Sequence, residues 1–199
     1  MLPTLVAAAA GEYDTVAQYE RTPLQLRKKP VIGEEYEWLD RQHGVFEWVT
    51  APALGTHVLY LEWRGGGPSG PISRQRIWVF RYQATAGWVM DFYTLADPAP
   101  FARATRGSTA FESLRTDQLV SYGPSCALRS VNEADYLEFS IPASCSIVSR
   151  SGAAMRLEAT VRFESDRILY REAGVRGDGS IVFRVPGQNG LAYAFQRVP

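Results

Sequence analysis

Hydrophobic and polar positions change their period along this chain. From Pro3 to Arg21 they predict helix: Thr4 is a candidate N-cap, and the alanines that follow are strong helix formers. Gly11 is expected to break this helix, and Asp14 to cap a second short one ending before Pro23. From about Gln25 onward alternation and turn punctuation take over. His57 to Trp63 sets Leu59, Leu61 and Trp63 against Tyr60 and Glu62, and both sets are bulky. A loop follows at Gly65 to Pro71. In the next strand, Ser73 to Tyr82, residues Arg74, Arg76, Trp78, Phe80 and Tyr82 share one face. Trp88 to Leu95 reads as the returning strand.

The middle is irregular. Asp97-Pro98 is a helix-start signal, predicting a short helix through about Arg106 and another over 109–117. Strands resume at 126–131, 136–141, 145–149, 154–164, 167–173, 180–185 and 191–197, with turns at 132–135, 142, 151–152, 176–179 and 186–190. His43, beside Gly44, is placed in a turn. About ten short strands joined by hairpin-length connections predict a single all-β domain over 1–199. The expected form is a closed antiparallel β-barrel with an N-terminal helix and short helices in the middle. Closure removes exposed edges, and a barrel of this size has room for one small guest.

Composition supports a well-filled core: 46% of residues are hydrophobic, and the chain carries five Trp and ten Tyr, whose polar atoms need partners when buried. Twenty-one basic residues balance twenty-one acidic ones, so no nucleic-acid partner is expected. The run Arg27-Lys28-Lys29 is read as solvated loop charge. No stretch has the roughly 20 apolar residues of a transmembrane helix. Leu5 to Ala10 lacks the basic flank of a secretion signal and is read as the first helix.

Five blocks in order resemble the CpcT/CpeT family of bilin chromophore lyases. Gly11-Glu12-Tyr13 with Gln18 is similar to its N-terminal motif, and Leu59-Tyr60-Leu61-Glu62 to its Tyr-x-Glu-Gln strand. Arg74-Gln75-Arg76 is similar to its Tyr-Arg-Gln-Arg block, Cys126 and Cys145 to its two cysteine positions, and 176–195 to its closing turn and aromatic strand. Trp63 stands where the family has Gln, Ser73 where it has an aromatic residue, Asp14-Thr15 where it has Ser-Asn, and Ser125 where it has Gly. The resemblance implies a calycin-like barrel of about ten strands that handles a linear tetrapyrrole for attachment to a phycobiliprotein cysteine.

Arg74 and Arg76, with Trp78, suit a ligand that joins carboxylates to an extended π-system. Tyr60 and Glu62 are expected on the same interior space. A buried Glu62 needs a partner, and Arg74 or Arg76 is the simplest; the alternatives are a structural ion pair with no ligand role, and arginines on an exposed strand face. Cys126 and Cys145 leave three readings open: a disulfide, buried free thiols, or a reactive thiol. Two strand spacings, roughly 9–10 Å, exceed disulfide reach unless Cys126 precedes its strand. No catalytic triad or metal site is expected, and no cofactor is required beyond a candidate bilin ligand. The partners expected are a small hydrophobic ligand and a phycobiliprotein-like acceptor. Trp78 with Trp88 is a candidate homodimer face. A true lyase would be cytoplasmic; a disulfide together with a removed leader would mean export. The alternative function is a non-catalytic carrier of another hydrophobic or amphipathic molecule in the cell envelope.

Overall fold

The computed structural model describes residues 1–27, 38–104, 107–148, 152, 154–186 and 191–199. Thirteen antiparallel strands follow one another: β1 (Gly11–Asp14), β2 (Gln42–Val49), β3 (Val58–Gly65), β4 (Ile72–Gln83), β5 (Gly87–Leu95), β6 (Leu119–Ser121), β7 (Leu128–Asn132), β8 (Leu137–Ser140), β9 (Ser146–Val148), β10 (Ala154–Phe163), β11 (Arg167–Val175), β12 (Ile181–Val185) and β13 (Tyr193–Arg197). Ten of them close a calycin-like barrel in the order β11-β13-β1-β2-β3-β4-β5-β7-β8-β10, and β10 pairs back onto β11. β6, β9 and β12 extend the wall beside β5, β10 and β11.

Parity decides what fills the barrel. Alternate residues of every wall strand meet inside: Tyr13, Phe46, Trp63, Trp78, Phe80, Phe139, Phe163, Tyr170 and Phe195 among them. Truncating one such ring to Ala costs about 3–5 kcal/mol in a well-packed core. Helix α1 (Thr4–Ala7) closes one end, with Val6 buried and the Trp48 indole donating to the Ala7 carbonyl at 3.1 Å.

Several local expectations change. The N-terminal helix is cut to α1 and α2 (Val16–Arg21), and residues 11–14 are strand β1. Gly11 adopts φ +146°, which L side chains rarely reach, and Tyr13 then pairs with Gly44 and Arg197 to bridge the barrel's two halves. His43 lies in β2, not in a turn. Gly44 beside it is a close-approach glycine, because a Cβ there would meet the Phe46 and Phe195 rings at 2.9 and 3.1 Å. The helices expected over 97–106 and 109–117 are single 3-10 turns at Ala99–Phe101, Thr109–Phe111 and Thr116–Gln118; residues 105–106 lie outside the described residues. Arg27 is tied down, donating to the Thr22 and Glu20 carbonyls at 2.7 and 2.6 Å over the Tyr19 ring, while Lys28 and Lys29 lie outside the described residues. So do parts of two expected turns, at 151 and 187–190.

Candidate functional site

β3 and β4 are both apolar on two faces, and their register sorts the predicted site residues into two groups. Leu61 pairs with Arg76 and Trp63 with Arg74; Glu62 pairs with Gln75 and Tyr60 with Ile77. Directly paired residues share a face. Leu61 and Trp63 belong to the barrel interior, so Arg74, Arg76 and Trp78 point inward. Tyr60 belongs to a second cluster with Ile77, Phe101, Phe111 and Leu114, packed between the wall and the 99–114 segment.

The convergence of Tyr60 and Glu62 with the two arginines is therefore corrected. Glu62 is fully buried outside the wall, and its partner is Arg64, whose Nε donates at 2.6 Å. Arg64 stands two residues along the same strand, hence on the same face. The Arg103 backbone N–H donates to Glu62 Oε2 at 2.7 Å, and Tyr60 Oη lies 2.9 Å from the same oxygen. Gln75 Nε2 donates to Tyr60 at 2.9 Å. Burial, and Glu62 close by, push the Tyr60 phenol well up, so it stays a neutral donor. Every member is satisfied, which makes this a clamp holding residues 98–103 onto the barrel.

The interior group is different. Arg74 donates through Nη1 to Tyr170 Oη at 2.8 Å and to Glu172 Oε2, and Tyr170 donates to Glu172 at 2.7 Å. The Arg74 guanidinium lies 5.0 Å from the centre of the Trp63 ring and 5.6 Å from that of Tyr170, within cation–π range. Burial works against both charges of the pair. For Glu172 the two arginines and Tyr170 outweigh it and hold the carboxyl below its ordinary range. For Arg74 the facing Tyr170 and Glu172 outweigh it.

For Arg76 the same two groups do not outweigh burial. Among the described residues its side chain makes one hydrogen bond, to the Gln75 carbonyl at 2.8 Å, and no ion pair. Burial and the like charge of Arg74 lower its pKa. Tyr122, whose ring stacks on Phe92 at 5.0 Å, is among the groups that bear on this charge. At the rim, Asp40 takes hydrogen bonds from Tyr193 Oη and from Gln42 Nε2. Beside Tyr122 and Cys126, a pocket of about 200 Å3 is lined by Phe92 and by the Arg81–Asp91 ion pair.

Sequence reasoning missed Tyr170, Glu172 and the importance of Trp63. The signal for Glu172 was present: Ile168, Tyr170 and Glu172 occupy alternate positions of one amphipathic strand, so the acid sits on the face its hydrophobic neighbours bury. Cys126 and Cys145 are bonded, with Cα atoms 4.7 Å apart. Cys126 lies in the 3-10 turn Pro124–Cys126 ahead of β7, which supplies the missing reach. Trp78, 2% exposed, is interior and offers no dimer face. No helix among the described residues is long and apolar enough to cross a membrane.

No family model and no curated protein matches this chain. Among solved structures it is similar to the selenomethionine CRL protein of Arabidopsis, with a TM-score of 0.63 and 15% identity over 95% of this chain and 93% of that one. At this identity the likeness is one of fold, and it covers the whole barrel.

Proposed function

We propose that this barrel binds a small amphipathic molecule carrying a carboxylate, taken at the Arg74–Arg76 end. The observation that supports this is that two half-buried arginines, Arg74 and Arg76, project from one strand face toward the buried Glu172, and among the described residues only Arg74 pairs with it. A charge drawn partly out of water without an ion-pair partner is costly, and an anionic guest relieves it. Trp78 and Tyr170, stacked 7° from parallel, offer flat apolar surface beside the arginines. Aromatic rings pack the α1 end, so the guest docks at the polar end and does not sink through the barrel. Tyr60 and Glu62 are not among its contacts.

A linear tetrapyrrole is the first candidate, since its propionates and π-system match these groups and the resemblance to bilin lyases points the same way. The test is an absorbance titration with biliverdin and phycocyanobilin. Saturable change of the bilin spectrum at micromolar protein is expected. An unchanged spectrum up to high micromolar bilin overturns the bilin assignment.

A lyase role is the second reading, and the disulfide favours its simplest form. Both cysteines are consumed, so the chain has no thiol to trap the bilin, and an acceptor protein's thiolate would add to the vinyl-type carbon while the neighbouring carbon takes up a proton. The barrel's part is to orient the chromophore. Faster covalent colouring of an apo-phycobiliprotein in its presence is the expected result; equal rates with and without it leave only the carrier.

A further inference from the structure

The indole of Trp63 is 2% exposed, and its Nε1–H has no hydrogen-bond partner among the described residues. Buried donors are rarely left this way, because the lost hydrogen bond to water is not replaced. The ring is fixed on several sides. Tyr170 and Tyr193 meet it edge-on at 4.8 and 5.6 Å, Phe195 lies at 4.7 Å, and Arg74 covers it. The indole therefore has little freedom to turn toward another acceptor.

This orphan donor and the unpaired Arg76 are independent observations at one place, both bordering the Arg74 guanidinium. A water could accept from the indole but would bring no negative charge. A neutral polar ligand has the same shortcoming. A carboxylate satisfies both needs, with one oxygen for the indole N–H and the charge for Arg76.

The count also sets a limit. Among the described residues, Arg74 and Arg76 share this strand face opposite Glu172, which pairs with Arg74, while Asp40 at the rim is taken by Tyr193 and Gln42; Arg76 is left as the cation without an ion pair. A second buried carboxylate would face Glu172 without a cation of its own.

Resting on the carrier reading above, we infer that the polar end of the barrel accepts one carboxylate, held by Arg76 and by the Trp63 Nε1–H, and that any second acid group of the guest stays at the rim. Trp63 thus selects for an anionic acceptor, and the rings around it take the first part of the guest's apolar body.

The experiment uses the whole protein with dansyl-undecanoic acid, its methyl ester, and biliverdin as probes, followed by fluorescence and absorbance. Trp63→Phe keeps the ring and deletes only the N–H. It is expected to weaken the acid by about tenfold and to leave the ester within about twofold. Wild-type protein should prefer acid over ester by more than the variant does. Since a core substitution can disturb folding, wild-type protein carrying 15N in its indoles supplies a second readout. One of its five indole N–H resonances should move downfield with the acid and not with the ester. If biliverdin binds while Trp63→Phe changes nothing and no indole resonance moves, the Trp63 assignment is overturned and the carrier reading survives. If wild type binds neither acid nor biliverdin, both fall.

Discussion

Single residues in this barrel are tuned by what faces them across the interior. Glu172 is the clearest case, because its carboxylate is buried beside two guanidiniums and a phenol. Its native pKa is depressed, so in acid the unfolded chain binds the proton first, and the stability this carboxylate contributes is lost as pH falls through the native pKa. Urea unfolding of wild type should therefore show stability dropping below about pH 4.3, the ordinary glutamate value. Glu172→Gln should flatten that slope. At neutral pH it should also lower stability by about 3 kcal/mol, since Arg74 loses its buried partner. A variant as stable as wild type at neutral pH, with an unchanged acid slope, would refute the pairing.

Elements were legible where a strand was long and its alternation clean: β4, β5, β10 and β11 lie within a residue or two of their predicted spans. β1 was hidden because four residues cannot display a period, and its neighbours are helix formers. β2 was hidden because Gln42-His43-Gly44 resembles a turn, although Gly44 is there to let two phenylalanine rings cross. The cysteine pair belongs to this scale as well. Cys126 in its 3-10 turn and Cys145 before β9 join across β8, with a sequence separation of 19 residues. Closing a loop of that length removes unfolded-state entropy worth about 3 kcal/mol. Cys126→Ala/Cys145→Ala should lower the unfolding free energy by about that amount, read by chemical denaturation. A loss near zero would mean the β7–β9 region is already ordered without the bond.

The whole molecule depends on closure. β13 joins β1 to β11, and thereby the N-terminal half of the wall to the C-terminal half. Its pairing with β1 joins residues more than 180 apart in sequence, so closure comes late and at high entropic cost. Deleting residues 193–199 should abolish the cooperative thermal transition and expose apolar surface to a dye such as ANS, as in collapsed states without fixed packing. A truncated chain that still melts in one sharp transition would show that the remaining wall is a folding unit by itself.

By itself the sequence determined the class of fold, the location of most strands, and which residues share a face, because the pleat has period two and admits no other grouping. It could not decide which face of β3 and β4 turns inward, since both carry large apolar side chains. Only the tertiary structure, by laying the 99–114 segment over one face and closing the barrel around the other, put Tyr60 and Glu62 outside and Arg74, Arg76 and Trp63 within. Covering both faces of a sheet removes the polar alternation from which inside and outside are read.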